Sequence, residues 1–176
     1  MRGVSIGRVL VPVLMPALML VATAVPAEEH ADGVGDVVTS DRIGMGLAAD
    51  IAEEAVAACT RNGYSVTAVV VDPSGDPQVM MRATHAPRFT RQIATDKARA
   101  VILSGIDSGA FRANREDIRM EMNHVDGILV LDGAVAIESA GSTIGALGVS
   151  GAPGGDKDAE CARESLEAHF DRLQLR

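Results

Sequence analysis

The sequence lacks the motifs of several common enzyme and metal-binding classes. It contains only two cysteines and no CxxC pair, which argues against a structural zinc site. There is no HExxH sequence and no dinucleotide fingerprint. Residues 148–151 lack the glycine spacing of a nucleophile elbow, and the glycine-rich residues 151–155 are followed by Asp156-Lys157-Asp158 rather than by a P-loop lysine. These absences argue against a zinc protease, a serine hydrolase and a nucleotide-binding enzyme.

Lysine is scarce and acidic residues are in excess. Only Lys97 and Lys157 are lysines among the 16 basic residues. Arg2 and Arg8 lie at the extreme N-terminus, so residues 28–176 carry 14 basic and 24 acidic residues, a net charge of −10. Such a surface repels nucleic acid and anionic lipid, and we expect neither as a partner. The planar guanidinium of arginine suits carboxylate recognition better than the ammonium of lysine, which fits a carboxylated ligand.

The first 27 residues have the pattern of a cleavable export signal. Arg2 and Arg8 precede an apolar run over residues 9–25, and small residues follow it up to Ala27. The alternative is a retained membrane anchor, but the run is shorter than the roughly 20 residues that span a bilayer and contains two prolines. We therefore expect cleavage after Ala27 and a secreted or periplasmic protein, not attached to a membrane after cleavage. Residues 28–38 are predicted to be a flexible arm, and residues 39–176 a single domain.

Cys59 and Cys161 allow two interpretations. In an oxidising compartment they could form one disulfide, which would tie the first helix to the last. Alternatively, both could be small buried side chains, because cysteine packs well in cores. The sequence alone leaves both open.

Helical periodicity is present in three long segments. Apolar residues repeat with helical spacing from Ser40 to Gly63 and over residues 88–103. A last amphipathic helix is expected after residues 151–155, with Ala159, Ala162, Leu166 and Phe170 facing inwards. Residues 108–122 are mixed in polarity and are predicted to form a shorter helix or an ordered loop.

Five segments have the composition of β-strands. Residues 64–71 and the segment ending at Arg82 flank the turn Asp72-Pro73-Ser74-Gly75-Asp76, which predicts a hairpin. Residues 127–131 and 134–138 flank Asp132-Gly133, a strong hairpin signal, and residues 144–149 form the last candidate strand. Short turns join antiparallel strands, so the sequence predicts an α/β domain of the α+β type, with a five-stranded antiparallel sheet and helices packed on it.

Two histidines in loops are candidate metal ligands. His85 and His124 both lie close to methionines and apolar segments, and arginines precede or follow them. A neutral imidazole is a common protein ligand of haem iron, and arginines can pair with the haem propionates. No CxxCH motif is present, which argues against covalent haem. The alternative is that each histidine is a surface or hydrogen-bonding loop residue.

Several short motifs spread over most of residues 39–176 resemble one known family. They are Val70-Val71-Asp72 with Gly75, Met81-Arg82 leading to Ala86, Ala94 with Asp96-Lys97-Ala98-Arg99-Ala100, Leu131-Asp132-Gly133 to Ile137, and residues 144–151 followed by Asp156. With these motifs the sequence resembles the GlcG/HbpS family of haem-degrading, DUF336-like domains, which is related to the C-terminal domain of PduO-type proteins. The resemblance implies a layered α/β domain that forms homo-oligomers and binds haem or, among the PduO relatives, acts beside corrinoid chemistry.

The sequence departs from the family pattern at two places. It has Thr84-His85-Ala86 where the family usually has Asp-Gly-Ala, and Asp132 where a second glycine is usual. Family members do not all use the same iron ligand, so the resemblance supplies none for this chain. Thr84 and His85 are therefore predictions made from this sequence itself.

Together these observations predict an exported haem-binding protein that sequesters, senses or slowly degrades haem. His85 or His124 would ligate the iron, Arg82 and Arg88 would hold the propionates, and the porphyrin face would be lined by Met80, Met81 and Phe89. Thr84 is a further predicted cofactor-binding residue. An enzymatic alternative is haem breakdown or a peroxidase-like oxidation in the same pocket. A third possibility is a non-catalytic domain that binds another small cofactor, such as a corrinoid, or a partner protein through an oligomeric surface.

Overall fold

A computed structural model describes residues 39–174. The predicted export signal and flexible arm lie outside these residues, and the described residues form one compact unit. The elements in chain order are α1 (Met45–Arg61), β1 (Thr67–Val71), β2 (Pro77–Arg82), α2 (Thr90–Ser104), α3 (Ser108–Asn114), α4 (Arg119–Met122), β3 (Ala134–Ser139), β4 (Ser142–Ser150), α5 (Gly155–Ala168) and α6 (Phe170–Gln174). Within the described residues, none of the helices combines the length and the apolar character needed to cross a bilayer.

The sheet lies between two layers of helices. Its strand order is β2-β1-β4-β3, and every neighbouring pair is antiparallel. Because side chains alternate along a strand, Ala68 and Val70 of β1 pack with α1 and α5 on one face, while Val69 and Val71 pack with α2 on the other. This arrangement explains why all five residues of β1 are buried.

Within residues 39–174 the sheet has four strands, so the prediction of five was wrong. Residues 127–131 do not form a strand, and Asp132-Gly133 does not form a hairpin turn. Instead, the amide of Leu129 donates to the carbonyl of Asp96 on α2 at 3.1 Å, and the amide of Val130 donates to Oδ1 of Asn123 at 2.8 Å. The apolar run is thus a loop packed along α2.

Side chains occupy the edge of β3 that a fifth strand would need. The hydroxyl of Ser108 accepts from the amide of Ala134 at 2.9 Å and donates to its carbonyl at 3.2 Å. Oδ1 of Asp107 accepts from the amide of Ala136 at 3.1 Å. These bonds satisfy backbone groups that an edge strand otherwise exposes, so residues 127–131 find no partner there.

The second hairpin joins β3 to β4, whereas the sequence predicted a hairpin between residues 127–131 and 134–138. Ala140 and Gly141 connect β3 to β4, and both have positive φ angles, 48° and 80°. Two central residues with positive φ are the requirement of a type I′ turn, whose twist matches that of paired strands. The sequence signal was weak because alanine rarely occupies this conformation.

The helices follow the predicted pattern more closely. The helix α1 begins at Met45 rather than near Ser40, because the chain before it is extended and the amide of Ile43 donates to the carbonyl of Ile144. Cys59 and Cys161 form a disulfide between α1 and α5, which settles the choice between the two interpretations. The inward position predicted for Phe170 is wrong: α5 ends at Ala168, and the Phe170 side chain on α6 is 59% exposed.

Candidate functional site

Two adjoining clefts run along α2. The arginine cleft, of about 660 Å³, is lined by Met80, Arg88, Phe89, Arg91, Gln92, Thr95, Asp96, Arg99 and Gly127. The histidine cleft, of about 430 Å³, is lined by Phe89, Gln92, Ile93, Asp96, Asn123, His124, Val125, Asp126, Gly127, Ile128 and Leu129. The two share Phe89, Gln92, Asp96 and Gly127 and so adjoin, and we call the pair the trough. Their volumes fall in the range of small-molecule sites.

The start of α2 positions the mouth of the arginine cleft. Thr90 is buried, and its hydroxyl hydrogen-bonds the hydroxyl of Thr67 on β1 at 2.7 Å and the carbonyl of Pro87 at 2.7 Å. These hydrogen bonds fix the first turn of the helix on the sheet, and the two preceding residues, Arg88 and Phe89, are exposed to solvent. The guanidinium of Arg88 lies 4.4 Å from the centroid of the Phe89 ring, and that ring is 60% exposed. The result is an aromatic surface with a cation stacked on it.

Arg99 ties three segments together inside the same cleft. Its Nε donates to the carbonyl of Gly75 in the β1–β2 turn at 2.9 Å, and its Nη1 lies 3.5 Å from Oδ1 of Asp96. Gly127 approaches the same guanidinium so closely that a methyl group there would lie 3.1 Å from Nη1. Arg99 thereby holds the hairpin turn, α2 and the loop after α4 in one arrangement.

The histidine cleft has an imidazole beside an apolar wall. His124 is exposed on the loop after α4, and Ile93, Val125, Ile128 and Leu129 line the same cleft. The loop is fixed by the hydrogen bond from the amide of Val130 to Asn123 and by that from the amide of Leu129 to Asp96. An imidazole next to an apolar surface can hold a metalloporphyrin.

The structure brings some of the predicted residues together and separates others. Arg88, Phe89 and Met80 line the arginine cleft, and His124 lines the histidine cleft. His85 and Thr84 are exposed in the loop between β2 and α2, and they are not among the residues that line either cleft.

Two further predicted residues are directed away from the trough. Arg82 donates to the carbonyl of Ala86 within its own loop. Met81 packs with Val79 on the opposite face of the sheet, against the core under α1, because neighbouring residues of a strand face opposite sides.

Sequence reasoning did not assign Gln92, Thr95, Asp96 or Arg99 to the site. A signal for them was present: Arg88, Arg91, Thr95 and Arg99 follow the three- and four-residue spacing of one helix face. The spacing shows which residues share a face, but not whether that face borders a cleft.

A buried ion pair lies on the other side of α2. Nζ of Lys97 donates to Oδ2 of Asp158 at 2.8 Å and to the carbonyl of Val149 at 3.1 Å, and both side chains are almost completely buried. Burial raises the pKa of the Asp158 carboxyl, an effect that the neighbouring Lys97 cation opposes. The pair joins α2, β4 and the first turn of α5 and lines neither cleft.

No group of three or more histidine, cysteine or acidic side chains in residues 39–174 is placed to hold a metal ion.

Comparison with known proteins identifies one family. The family described as "Haem degrading protein HbpS-like" matches residues 44–167. A double mutant of HbpS from Streptomyces reticuli is 27% identical, with a TM-score of 0.71 over 77% of this chain and 92% of that one. No curated protein sequence matches the chain.

Two more distant structures share the fold. Klebsiella pneumoniae protein ORFY, of the DUF336 family, is 18% identical, with a TM-score of 0.71 over 78% of this chain and 97% of that one. PduOC, solved as a complex with haem, is 19% identical, with a TM-score of 0.64 over 72% of this chain and 94% of that one.

Proposed function

Because this chain belongs to the HbpS-like family, we propose that it binds haem in the trough formed by the arginine and histidine clefts. The observation that carries the proposal is that the two clefts adjoin, with an imidazole and an apolar wall in one and guanidinium groups in the other. The haem complex of PduOC supports it further, since that protein has the same fold.

The residues of the trough fit the chemical groups of haem. His124 would ligate the iron, and Ile93, Val125 and Leu129, which line the same cleft, would contact the porphyrin. Phe89 and Met80, which is 43% exposed, would cover the porphyrin near the mouth, and Arg88 would pair with a propionate. Bound haem would supply an iron centre able to react with peroxide, while the chain's own residues hold and orient it.

The proposal predicts different roles for the two candidate histidines. Titration of haemin into the His124→Ala variant should give a changed Soret band and at least about a 10-fold loss of affinity, since one iron–imidazole bond is removed. The His85→Ala variant is the matched control, because it removes the same group from a loop outside the clefts. It should bind like the wild type.

Other outcomes would change the assignment. An unaltered spectrum and affinity in His124→Ala would remove this residue as the ligand, and a loss confined to His85→Ala would move the ligand to the loop before α2. If the wild type does not bind haemin at all, the proposed function is wrong.

We propose that binding is the primary activity, with haem breakdown as the enzymatic alternative. Product analysis after adding peroxide or reductant to the loaded protein separates the two. Intact porphyrin supports a sequestering or sensing protein, and ring-opened products support degradation.

We also propose that the protein is exported and forms homo-oligomers. The disulfide between Cys59 and Cys161 supports export, because such bonds persist mainly in oxidising compartments. A mature N-terminus at Glu28 would support cleavage of the signal, and light scattering of the purified protein would give the oligomer number.

A further inference from the structure

The trough is electrically asymmetric. The arginine cleft has three guanidinium groups, those of Arg88, Arg91 and Arg99, against the single carboxylate of Asp96. The histidine cleft has the carboxylates of Asp96 and Asp126 and neither arginine nor lysine. The whole chain has a net charge of −8, so the positively charged arginine cleft is opposite in sign to the protein as a whole. A ligand with anionic groups along one edge is therefore favoured with that edge in the arginine cleft.

Two of the three arginines remain available for a ligand. Arg99 is already bound to Gly75 and lies beside Asp96. In the described part of the chain, Arg88 and Arg91 have no carboxylate within ion-pair distance. Arg88 is stacked on Phe89, and Nε of Arg91 donates to the carbonyl of Arg88 at 3.2 Å. Both guanidinium groups are thus partly oriented by contacts that leave their terminal nitrogens able to donate.

We propose that Arg91, together with Arg88, selects planar ligands by the carboxylates on their edge, so that the site takes dicarboxylate tetrapyrroles with or without a metal. The inference rests on the proposed function, since it orients the ligand within the same trough. The bond between iron and imidazole then adds affinity, but it is not required for recognition.

The physical reason is that a carboxylate forms charge-assisted hydrogen bonds with arginine, while its ester has neither the charge nor the strong acceptor. Loss of one such bond lowers affinity by about 10- to 100-fold. Removal of the iron leaves these bonds intact.

The test is a titration of three probes into four proteins. The probes are haemin, protoporphyrin IX and protoporphyrin IX dimethyl ester, at the same low detergent concentration. The proteins are the wild type, Arg91→Ala, Arg88→Ala/Arg91→Ala and Arg112→Ala. Arg112 is a matched control, because it is exposed on α3, makes no ion pair within residues 39–174 and lies outside both clefts.

The wild type should bind haemin and protoporphyrin IX and bind the ester at least about 10-fold more weakly. The affinity of Arg91→Ala for haemin and for protoporphyrin IX should be lower than that of the wild type by about 10-fold or more, and the affinity of the double variant should be lower still. The affinity of both variants for the ester should equal that of the wild type. Arg112→Ala should match the wild type for all three probes.

Two results would overturn the inference and leave the proposed function standing: haemin binds but protoporphyrin IX does not, or Arg91→Ala binds both acids as Arg112→Ala does. Failure of the wild type to bind any of the three probes would overturn the proposed function and this inference together.

Discussion

Ala140 has a backbone conformation that its side chain disfavours. It is the one residue other than glycine with a positive φ in the described part of the chain. In this region the Cβ of an L-residue crowds the following carbonyl oxygen at a cost of roughly 1–2 kcal/mol, which asparagine tolerates better. Alanine therefore makes the β3–β4 turn less stable than an Asn-Gly turn would be.

Ala140→Asn should raise the free energy of unfolding by up to about 1 kcal/mol, because asparagine followed by glycine suits a type I′ turn. Urea unfolding followed by circular dichroism would measure it. Ala110→Asn, in the exposed part of α3, is the control and should lower stability, since asparagine is a poorer helix former than alanine. An equal decrease in the free energy of unfolding of both variants would mean that asparagine does not stabilise the turn.

At the same scale, glycines allow the close approach of elements. A methyl group at Gly148 of β4 would collide with the carbonyl of Ala94 on α2, and one at Gly145 would lie 2.6 Å from the carbonyl of Val71. The missing side chains let α2 and the neighbouring strand lie directly against β4. This close contact determines the distance between α2 and the sheet, and therefore the position of the α2 residues that line the trough.

Among the elements, α2 connects the core to the site. One face has the buried Lys97, which is paired with Asp158 at the start of α5, while the other has Arg91, Thr95 and Arg99 along the arginine cleft. A change in the ion pair therefore acts on the helix that supports the ligand site.

Lys97→Met should destabilise the fold by about 3–5 kcal/mol near neutral pH, because it leaves the carboxylate of Asp158 buried without a cation. Burial raises the pKa of Asp158, so the folded protein takes up a proton more readily than the unfolded chain. The carboxyl then contributes most stability below its ordinary pKa of 3.8, and that contribution is lost as the pH rises through the folded pKa. Loss of Lys97 removes the cation that lowers this pKa, so the carboxyl of the variant takes up a proton at a higher pH than that of the wild type, and the difference in stability between the two proteins should shrink as the pH is lowered.

Urea unfolding of both proteins at several pH values from neutral to acid measures this difference. Lys157→Met is the control, since Lys157 is exposed and pairs with Glu160 at the surface, and it should change stability by less than about 1 kcal/mol at every pH. A Lys97→Met penalty that grows towards acid pH would contradict the lowering effect of Lys97 on the Asp158 pKa.

For the molecule as a whole, the disulfide joins the two ends of the domain. Cys59 and Cys161 are separated by 102 residues, and their Cα atoms lie 5.4 Å apart. A cross-link that closes so long a loop restricts the unfolded chain strongly. It also fixes α1 against α5 on the face of the sheet opposite to α2 and the trough.

Cys59→Ala/Cys161→Ala should lower the free energy of unfolding by about 2–5 kcal/mol while leaving haemin affinity nearly unchanged, because both cysteines lie away from the clefts. Urea unfolding of the wild type and the double variant, each with and without reductant, would test it. Reductant should lower the free energy of unfolding of the wild type and leave that of the variant unchanged. If reductant affects neither protein, the bond does not form in solution.

The sequence predicted local features well where one short segment contains the whole signal. Residues 72–76 form the expected turn between two strands, and Asn62 ends α1 as expected. The same reasoning failed at residues 127–133, because an apolar run bounded by Asp-Gly fits a strand and a buried loop equally well. The choice depended on Asp107 and Ser108, distant in sequence, which occupy the edge of β3.

The sequence by itself determined the α+β class, the antiparallel pairing, most helices and the kinds of chemical group available, because these depend on periodicity, turn residues and composition. Only the tertiary structure decided that the sheet has four strands within the described residues and that the two cysteines are bonded. It also decided that His124, and not His85, borders the trough beside Arg88 and Arg91. The physical reason is that packing between distant segments determines which loop face meets which helix face, and no short stretch of sequence encodes that contact.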